Sequence, residues 1–479
     1  MDAPVPLIVT ALLAAGAVLL PQARWRAIAM LGALALAPVL LVAHISDSEQ
    51  LDPLRDHPAA AAAAGAVAVV ALAALAVLFA RRPAAFPLAA ALVIPFRIPI
   101  SSGGSTANLL VPLYVVVAAG ALAYAIPRLR DGDAEEREPS VLEWLLAGTV
   151  VLYAVQAAYS DDFDKALENV VFFYVPFAIL FALLARIDWS RRLALQVLGV
   201  LAGLAVAFAC IGFVEYATRH LFLNPKIIAS NQFESYFRVN SLFFDPNIYG
   251  RFLVVVMLGL AAVLVWARRG RDVGIAAALL LVLWAGLVTT LSQTSFAALL
   301  LGLLVLGGLR WSVRGAVAVA AGAAVVGAVV VALTVDLSSG KSTDDATSGR
   351  YDLIQGGVGL FADAPAEGHG SGSFSRAYRR AEKVSAEKAV SASHTIPVTV
   401  AAEQGVPGLL LYAALLVAAF LALFRGARGD PVRAAVAAAF AALLLHTWGY
   451  AAFLEDPLAW ALLGMGLALA RGGRDRSLA

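Results

Sequence analysis

The sequence predicts an all-α, polytopic integral membrane protein with about 12–15 transmembrane helices. The 479-residue chain is 61% hydrophobic and 14% charged, whereas soluble domains carry about 25% charged residues. Its mean hydropathy is +0.83. Apolar runs of about 17 to 25 residues recur from end to end, and such runs cross about 30 Å of hydrocarbon. The expected surroundings are therefore a lipid bilayer, and the net charge of +2 gives no reason to expect nucleic acid as a partner.

Fifteen apolar segments account for this prediction. They begin near Val5, Trp25, Ala59, Ala84, Asn108, Val141, Val170, Leu193, Asn247, Val273, Ser292, Ala316, Gly405, Ala434 and Leu458. The first run, "MDAPVPLIVTALLAAGAVLLP", lacks the basic start of a signal peptide, so it is interpreted as a membrane span. The single cysteine lies inside an apolar run, which argues against a disulfide and against a thiolate metal site.

Arginine-bearing loops alternate along the chain with acidic or neutral loops, and this pattern predicts the orientation of the protein in the membrane. Short arginine-bearing loops mark the cytoplasmic side. They contain Arg24, Arg26, Arg81, Arg82, Arg128, Arg130, Arg191, Arg192, Arg268, Arg269, Arg271, Arg310, Arg314, Arg425, Arg428, Arg433 and the tail "RGGRDRSLA". The alternate loops, such as "YSDDFDKALEN" and "LEDP", are acidic or neutral. We therefore expect the N-terminus outside, the C-terminus inside, and the protein in the cytoplasmic (inner) membrane.

Five regions follow from this alternation. They are an N-terminal transmembrane bundle (1–216), an outer loop (217–246), central transmembrane helices (247–334), a large outer loop (335–404) and C-terminal transmembrane helices (405–479). Long ordered loops are usually functional. The large outer loop also contains apolar residues at helical spacing, so we expect helices within it.

The first outer loop ends in the motif "FRVNSLFFDPNIYGR". Asp245 at the N-cap, followed by proline and then Asn247 in the first turn, is typical of a helix start. Arg238 and Arg251 lie near the outer face, where topology does not favour positive charge. Arg97, in "VIPFRIPI", is a further arginine near the outer end of a span. Arginine suits a pyrophosphate, and snorkelling to the surface is the competing interpretation.

The large outer loop contains Arg350 and a glycine-rich run formed by Gly368, Gly370 and Gly372. Glycine permits tight turns and close backbone approach to a ligand. No Gly-Lys-Ser/Thr follows, so the run is not a Walker-type phosphate loop. A surface turn is the alternative interpretation.

His394 lies where this loop meets the next hydrophobic segment, "SASHTIPVTVAAEQG". Pro397 belongs in a first helical turn, so Thr395 is the expected N-cap and His394 lies just outside the helix. The positive end of the helix favours neutral imidazole, which can accept a proton as a general base. These residues alone leave two interpretations open, a base and an interfacial histidine near a helix cap. We expect the helix to break from Gly405 onwards.

The order of these motifs resembles the O-antigen ligase and polymerase family of bacterial membrane glycosyltransferases, within the GT-C type. The resemblance extends from about Arg238 to Tyr412. It rests on "RVNSLFFDPN", "TTLSQTSFAALLLGLL", "GRYDLIQGGVGLFADAPAEGHGSGSF" and "HTIPVTVAAEQGVPGLLLY". The chain departs from the pattern at Thr395, where members usually have Asn or Ser, and at Ser292-Gln293, where many have Ser-Arg.

The resemblance implies a transferase that acts on the outer face. Its donor would be a glycan on a polyprenyl-pyrophosphate carrier such as undecaprenyl pyrophosphate, and its acceptor a glycan, a lipid or another surface molecule. His394 would be the general base, and Arg350 and Arg238 would bind the pyrophosphate. Arg251 or Arg97 would supply the cation missing at Gln293. No metal and no cofactor would be needed.

The remaining candidates are supporting residues: Asp245, Asn247, Gly368, Gly370 and Glu403. Glu403 follows His394 by nine residues and lies on the opposite face of the helix, so we expect it to be a structural partner and not the acid that orients the histidine.

Two other functions fit a chain of this kind. A transporter or flippase of lipid-linked glycans would place charges around a midplane cavity, often between repeated halves, whereas the polar residues here gather towards the outer interface. A peptidoglycan-type polymerase of similar architecture would rely on an acidic residue of an outer loop, and Asp245, Asp352 or Glu403 would then matter more than His394.

Overall fold

The structure is a computed structural model. It describes residues 4–44, 55–102, 105–131, 137–222, 237–321, 350–383, 393 and 395–478. The side chains of residues 98–102, 105–109, 131, 350 and 473–478 lie outside that description.

Helices dominate the described residues. In the first half they are α1 (Pro4–Leu19), α2 (Ala23–His44), α3 (Pro58–Arg81), α4 (Ala85–Val93), α5 (Val111–Asp131), α6 (Val141–Gln156), α7 (Phe163–Asn169), α8 (Val175–Leu184) and α9 (Arg191–Thr218). In the second half they are α10 (Pro246–Trp266), α11 (Gly270–Thr290), α12 (Gln293–Arg310), α13 (Arg350–Asp363), α14 (Phe374–Ala381), α15 (Ile396–Phe424), α16 (Pro431–Gly449) and α17 (Pro457–Leu478).

This arrangement confirms an all-α polytopic membrane protein. In the described part of the chain, 11 helices are long and apolar enough to cross a membrane, and α1 and part of α17 are shorter apolar helices. One of the 11 is Phe163–Leu184, in which a π-helical turn (Val170–Tyr174) joins α7 to α8. The segment expected near Ala84 has only nine helical residues in α4. Most of the segment expected near Ala316 falls in residues 322–349, outside the described residues.

A small β-hairpin was not predicted from the sequence. Strands β1 (Ile98–Ser102) and β2 (Ser105–Leu109) pair antiparallel within the loop that precedes α5. The hydropathy pattern does not reveal it, because a two-stranded hairpin in a polar loop has no apolar periodicity.

Helix α16 joins the two hydrophobic cores of the bundle. One core packs the N-terminal helices against the C-terminal ones and contains Phe440 and Leu443 of α16. The other is built from α9 to α12 and contains Ala438 and Ala442 of the same helix. Alanines let helix backbones approach closely in a membrane bundle. An alanine-rich helix can therefore be packed on both sides.

Contacts at one end of the bundle connect segments that the arginine pattern assigns to the cytoplasmic side. Arg26, fully buried, donates from Nε to the hydroxyl of Tyr124 at 2.7 Å. Arg471, in the C-terminal helix, forms an ion pair with Glu143 at the start of α6. The helix ends that the arginine pattern assigns to one side of the membrane thus contact one another in the structure.

The loop helices form a small core of their own at the other end. Leu360 of α13, Phe374 and Tyr378 of α14, and Ala402 of α15 are buried together. Helix α15 is broken at Gly405, with φ 63° and ψ −159°, as the sequence predicted. The break separates the part of α15 that packs on the loop from the part that continues through the bundle.

We predict that Gly405→Ala destabilises the protein. A Cβ at this position would lie 2.8 Å from the Pro365 carbonyl oxygen and 2.9 Å from that of Ala366, in a backbone conformation that costs about 1–3 kcal/mol for a residue other than glycine. Thermal unfolding in detergent measures the effect.

Gly359→Ala is the matched control, because no atom lies within 4 Å of its added methyl group and alanine favours helix by about 0.5–1 kcal/mol. Equal melting temperatures for the two variants would contradict the strain assigned to Gly405.

Candidate active site at the loop end of the bundle

The start of α10 is fixed as the sequence predicted. Asp245 is the N-cap, and its carboxylate accepts a hydrogen bond from the Asn247 amide at 2.6 Å. Pro246 is the first helical residue. Asn247 is buried, so its side-chain amide is directed towards other helices and not towards solvent.

A chain of buried hydrogen bonds runs from Asn247 to α16. The Ser292 hydroxyl donates to the Asn247 side-chain oxygen at 2.8 Å. The Ser292 and Ser295 hydroxyls lie 2.8 Å apart, and Ser295 lies 3.1 Å from Nε2 of His446. Ser292, Ser295 and His446 are at most 1% exposed. The chain therefore connects α10, α12 and α16 inside the bundle.

Arg251 extends this chain to the start of α17. Its Nε donates to Nδ1 of His446 at 3.1 Å, and its Nη1 lies 2.6 Å from a carboxylate oxygen of Asp456. Its remaining bonds go to the carbonyl oxygens of Ala451 and Ala452. Both charged side chains are at most 4% exposed. The Arg251 guanidinium is thus bound on several sides by the protein itself.

The hydrogen bonds define the tautomer of His446. Arginine has no acceptor and does not lose its proton in proteins, so Nδ1 of His446 must be the acceptor and the proton lies on Nε2. The imidazole is neutral in this arrangement and donates to Ser295. Donation then continues through Ser292 to the oxygen of Asn247, which gives every group in the chain one consistent role.

Arg238 is bound to the far end of the chain. Its Nη2 donates to the Asn247 side-chain oxygen at 3.3 Å, and its Nε donates to the Thr290 carbonyl at 3.1 Å. The segment that carries Arg238 is itself fixed, because the buried carboxylate of Glu215 accepts the Ser241 amide at 2.8 Å. Arg238 is therefore a half-buried cation on a rigid segment.

Arg97 lies close to Asp456. The two residues line the same small pocket, of about 20 Å³, with Phe243 and Phe252. Burial lowers the pKa of Arg97, the nearby Asp456 carboxylate raises it, and the positive charge of Arg251 lowers it. Arg97 makes no hydrogen bond with the described residues. The structure thus places two arginines around one buried carboxylate.

Tyr450 connects this group to Asp245. Burial raises the pKa of the Tyr450 hydroxyl, and the negative charge of Asp245, with which it hydrogen-bonds, raises it further. The guanidinium carbon of Arg251 lies 5.8 Å from the centre of the Tyr450 ring. Four predicted residues, Arg97, Arg238, Asp245 and Arg251, thus lie around one polar cluster.

The glycine-rich run packs against the protein's own backbone. Gly368, Gly370 and Gly372 have φ of +71°, +88° and +77°. A Cβ on Gly368 would lie 2.3 Å from the Glu403 carbonyl oxygen, and one on Gly370 would lie 2.3 Å from the Ser160 Cα. The sequence suggested a tight turn or close backbone approach to a ligand; in the structure these two glycines lie close to backbone atoms of Glu403 and Ser160.

Glu403 binds this run to α15. Its carboxylate accepts the backbone amides of Gly372 at 2.9 Å and Phe374 at 3.1 Å. This is the structural role expected for Glu403. Further bonds tie the loop to the turn after α6, including Arg380 to Asp161 at 3.2 Å and Arg376 to Asp162 at 3.3 Å.

Two predicted residues cannot be placed in this cluster from the structure. His394 and the side chain of Arg350 lie outside the described residues, although Arg350 is the first residue of α13. The neighbours of His394 are described. Ser393 is buried and donates to the Thr395 carbonyl at 2.7 Å. Thr395 is the N-cap of α15, as predicted, and its hydroxyl donates to the Trp448 carbonyl at 3.1 Å.

Residues 277–413 match the family model described as O-antigen ligase. This match supports membership of the O-antigen ligase/polymerase family. The matched range contains Ser292, Arg350, the glycine-rich run, His394 and Glu403, and it confirms the resemblance seen in the sequence. The match, together with the membrane helices, supports an O-antigen ligase/polymerase type of function in polysaccharide biosynthesis at a membrane. No curated protein sequence matches the chain.

Sequence reasoning missed several residues of the cluster, among them His446 and Asp456. His446 is an ionisable residue inside the apolar run "AALLLHTWGY", and such residues are functional hypotheses by default. Asp456 stands in the outer loop "LEDP", but its sequence neighbours do not reveal its partner. Among the described residues, no group of three or more His, Cys, Asp or Glu is arranged to hold a metal ion.

We predict that Arg251→Met strongly destabilises the protein. The substitution removes the ion-pair partner of the buried Asp456 carboxylate and leaves only the charge of Arg97 near it, and breaking a buried ion pair costs about 3–5 kcal/mol. Detergent-solubilised protein and its thermal unfolding report the loss.

Adding Asp456→Asn to Arg251→Met should recover part of that stability, because the unpaired charge is removed while an oxygen remains to accept the Leu458 amide. A double variant no more stable than Arg251→Met would show that the ion pair is not the main contribution of Arg251.

Proposed function

We propose that the protein transfers a glycan from a polyprenyl-pyrophosphate carrier to an acceptor hydroxyl on the outer face of the cytoplasmic membrane. The observation that carries the proposal is the O-antigen ligase match over residues 277–413. The matched range includes both Arg350 and His394. It also includes Ser292, the N-cap of α12, which donates to the same side-chain oxygen of Asn247 as Arg238 does.

In the proposed reaction His394 is the general base. Its neutral imidazole takes the proton of the acceptor hydroxyl while the oxygen forms a bond to the anomeric carbon of the donor sugar. The bond from that carbon to the pyrophosphate oxygen breaks, and polyprenyl pyrophosphate leaves with the electron pair. The N-terminus of α15, which begins two residues later at Ile396, favours the neutral form before proton transfer.

The arginines have different parts in this proposal. Arg350 and Arg238 bind the leaving pyrophosphate, because the guanidinium fork matches phosphate oxygens. Arg251 forms bonds with Asp456 and His446 and supports the site through the buried hydrogen-bond chain. Arg97 adds positive charge beside Asp456. With two arginines neutralising the leaving group, the transfer needs no metal ion and no nucleotide sugar.

The outer-face location rests on the arginine pattern. The arginine-rich loops mark the cytoplasmic end of the bundle, and the cluster lies among the loops that alternate with them. Thr395, which follows His394, donates to the Trp448 carbonyl at the end of α16, and the Ala452 carbonyl, four residues further on, accepts a hydrogen bond from Arg251. This supports a site assembled from the outer loop and the outer helix ends together.

We predict that His394→Ala abolishes transfer while protein level and thermal stability are retained. Lipid-linked glycan should accumulate in cells that carry only this variant, because donor is supplied and not consumed. Normal polymer in such cells would eliminate His394 as the base.

Arg350→Lys should reduce transfer severely, because an ammonium group cannot make the bidentate contact of a guanidinium with phosphate. The matched control is Arg380→Lys in the same loop, an exposed residue paired with Asp161 whose surface ion pair contributes about 0–1 kcal/mol. The turnover of both variants is compared in membranes of equal protein content. Full activity of Arg350→Lys would rule out the leaving-group role.

Transfer in vitro, from a purified polyprenyl-pyrophosphate glycan in the presence of EDTA, should continue undiminished. The product distinguishes a polymerase from a ligase. A longer glycan on the carrier identifies a polymerase, and glycan on another acceptor identifies a ligase. Loss of transfer in EDTA that added Mg²⁺ restores would contradict metal independence. Movement of the carrier across a liposome without any transfer would replace the proposal by a flippase.

A further inference from the structure

A large cavity lies at the other end of the bundle, away from the cluster around Arg251. It has a volume of about 950 Å³ and opens between α9, α10, α16 and α17. Helix α10 connects the two places: its first residues carry Asn247 and Arg251, and its last residues, from Val255 to Trp266, line the cavity. The 21 residues of α10 span about 30 Å at 1.5 Å per residue.

The inner wall of the cavity is apolar. It is formed by Leu198 of α9, Val263 of α10, Ala435 of α16 and Leu462 of α17. These side chains come from helices that are long enough to cross the membrane or, in α17, from a shorter apolar helix. A cavity of this kind between membrane helices offers an apolar channel of the size that holds a small ligand or part of a lipid chain.

The mouth of the cavity is basic. Arg191, Arg268, Arg269 and Arg310 line it and are exposed, while Asp272 is the one acidic residue among its described lining. None of the four arginines forms an ion pair with the described residues. The guanidinium carbon of Arg310 lies 5.7 Å from the Trp266 ring, and tryptophan is enriched at membrane–water interfaces.

We propose that this cavity binds one anionic glycerophospholipid, with its phosphate among the four arginines and an acyl chain along the apolar wall. The excess of four arginines over one aspartate complements a negatively charged head group, and each guanidinium can donate two hydrogen bonds to phosphate. The arginine pattern assigns this end to the cytoplasmic leaflet, where anionic lipids concentrate and basic pockets between helices bind their head groups. The site is separate from the proposed transfer site.

Native mass spectrometry of the purified full-length protein tests this site with phosphatidylglycerol and phosphatidylethanolamine at equal concentration. We expect retained adducts of phosphatidylglycerol in clear excess. Arg268→Gln/Arg269→Gln should weaken phosphatidylglycerol binding roughly tenfold, since charge-assisted contacts to phosphate are removed. Arg81→Gln/Arg82→Gln is the matched control, because it removes the same charge from exposed arginines at the same predicted membrane face.

Ala435→Phe fills the apolar wall without changing charge, and it should also weaken binding of phosphatidylglycerol. Unchanged unfolding temperatures of the variants confirm that they fold. The proposal is overturned if the two lipids bind equally, if both arginine pairs reduce binding alike, if Ala435→Phe leaves binding unchanged, or if polyprenyl phosphate binds more tightly than phosphatidylglycerol.

Discussion

The ion pair between Arg251 and Asp456 determines how the ends of α10, α16 and α17 meet. Neither charge can remain buried alone, since an unpaired ion in a low-dielectric interior costs several kcal/mol. Arg251 lies in the second turn of α10, His446 near the end of α16, and Asp456 just before α17. From α10 the guanidinium bonds to His446 of α16 and to Ala452 and Asp456 in the segment before α17. These helix ends therefore cannot separate without leaving a charge exposed or unpaired.

The bonds of His446 extend that constraint to the rim of the cluster. Since Arg251 donates to Nδ1 of His446, the Nε2 proton is directed at Ser295. Ser295 is hydrogen-bonded to Ser292, and Ser292 and Arg238 both donate to the side-chain oxygen of Asn247. The buried polar groups of this chain are each paired, which favours one arrangement over alternatives. The hydrogen-bond chain therefore fixes the position of the Arg238 side chain. A cation held in a fixed position can stabilise a leaving group without a rearrangement of the surrounding protein. The loop that carries the glycine-rich run is held separately, because the Glu403 carboxylate accepts the backbone amides of Gly372 and Phe374.

Local features of the sequence predicted local features of the structure. Hydropathy gave the membrane fold, the Asp245-Pro246 pair gave the start of α10, and Gly405 gave the break in α15. Long-range partners escaped prediction: Arg251 meets His446 and Asp456 across 195 and 205 residues, and no periodicity encodes such a contact. The glycine-rich run shows the same limit of sequence reasoning. Glycine residues indicate that the backbone can adopt positive φ and approach a neighbour closely, but they do not indicate which part of the molecule that neighbour is. The hairpin at β1 and β2 was missed because its loop has no apolar pattern.

The anomeric configuration of the transferred sugar tests the proposed chemistry most directly. Attack of an acceptor hydroxyl, activated by His394, on the carbon bound to pyrophosphate is a single displacement, which inverts that carbon. Nuclear magnetic resonance of the product, compared with the donor glycan, reports the configuration at the new linkage. Inversion is the result expected if His394 acts as a base and pyrophosphate leaves in one step. Retention of configuration would contradict that account, because a single displacement from the face opposite the leaving pyrophosphate cannot retain it.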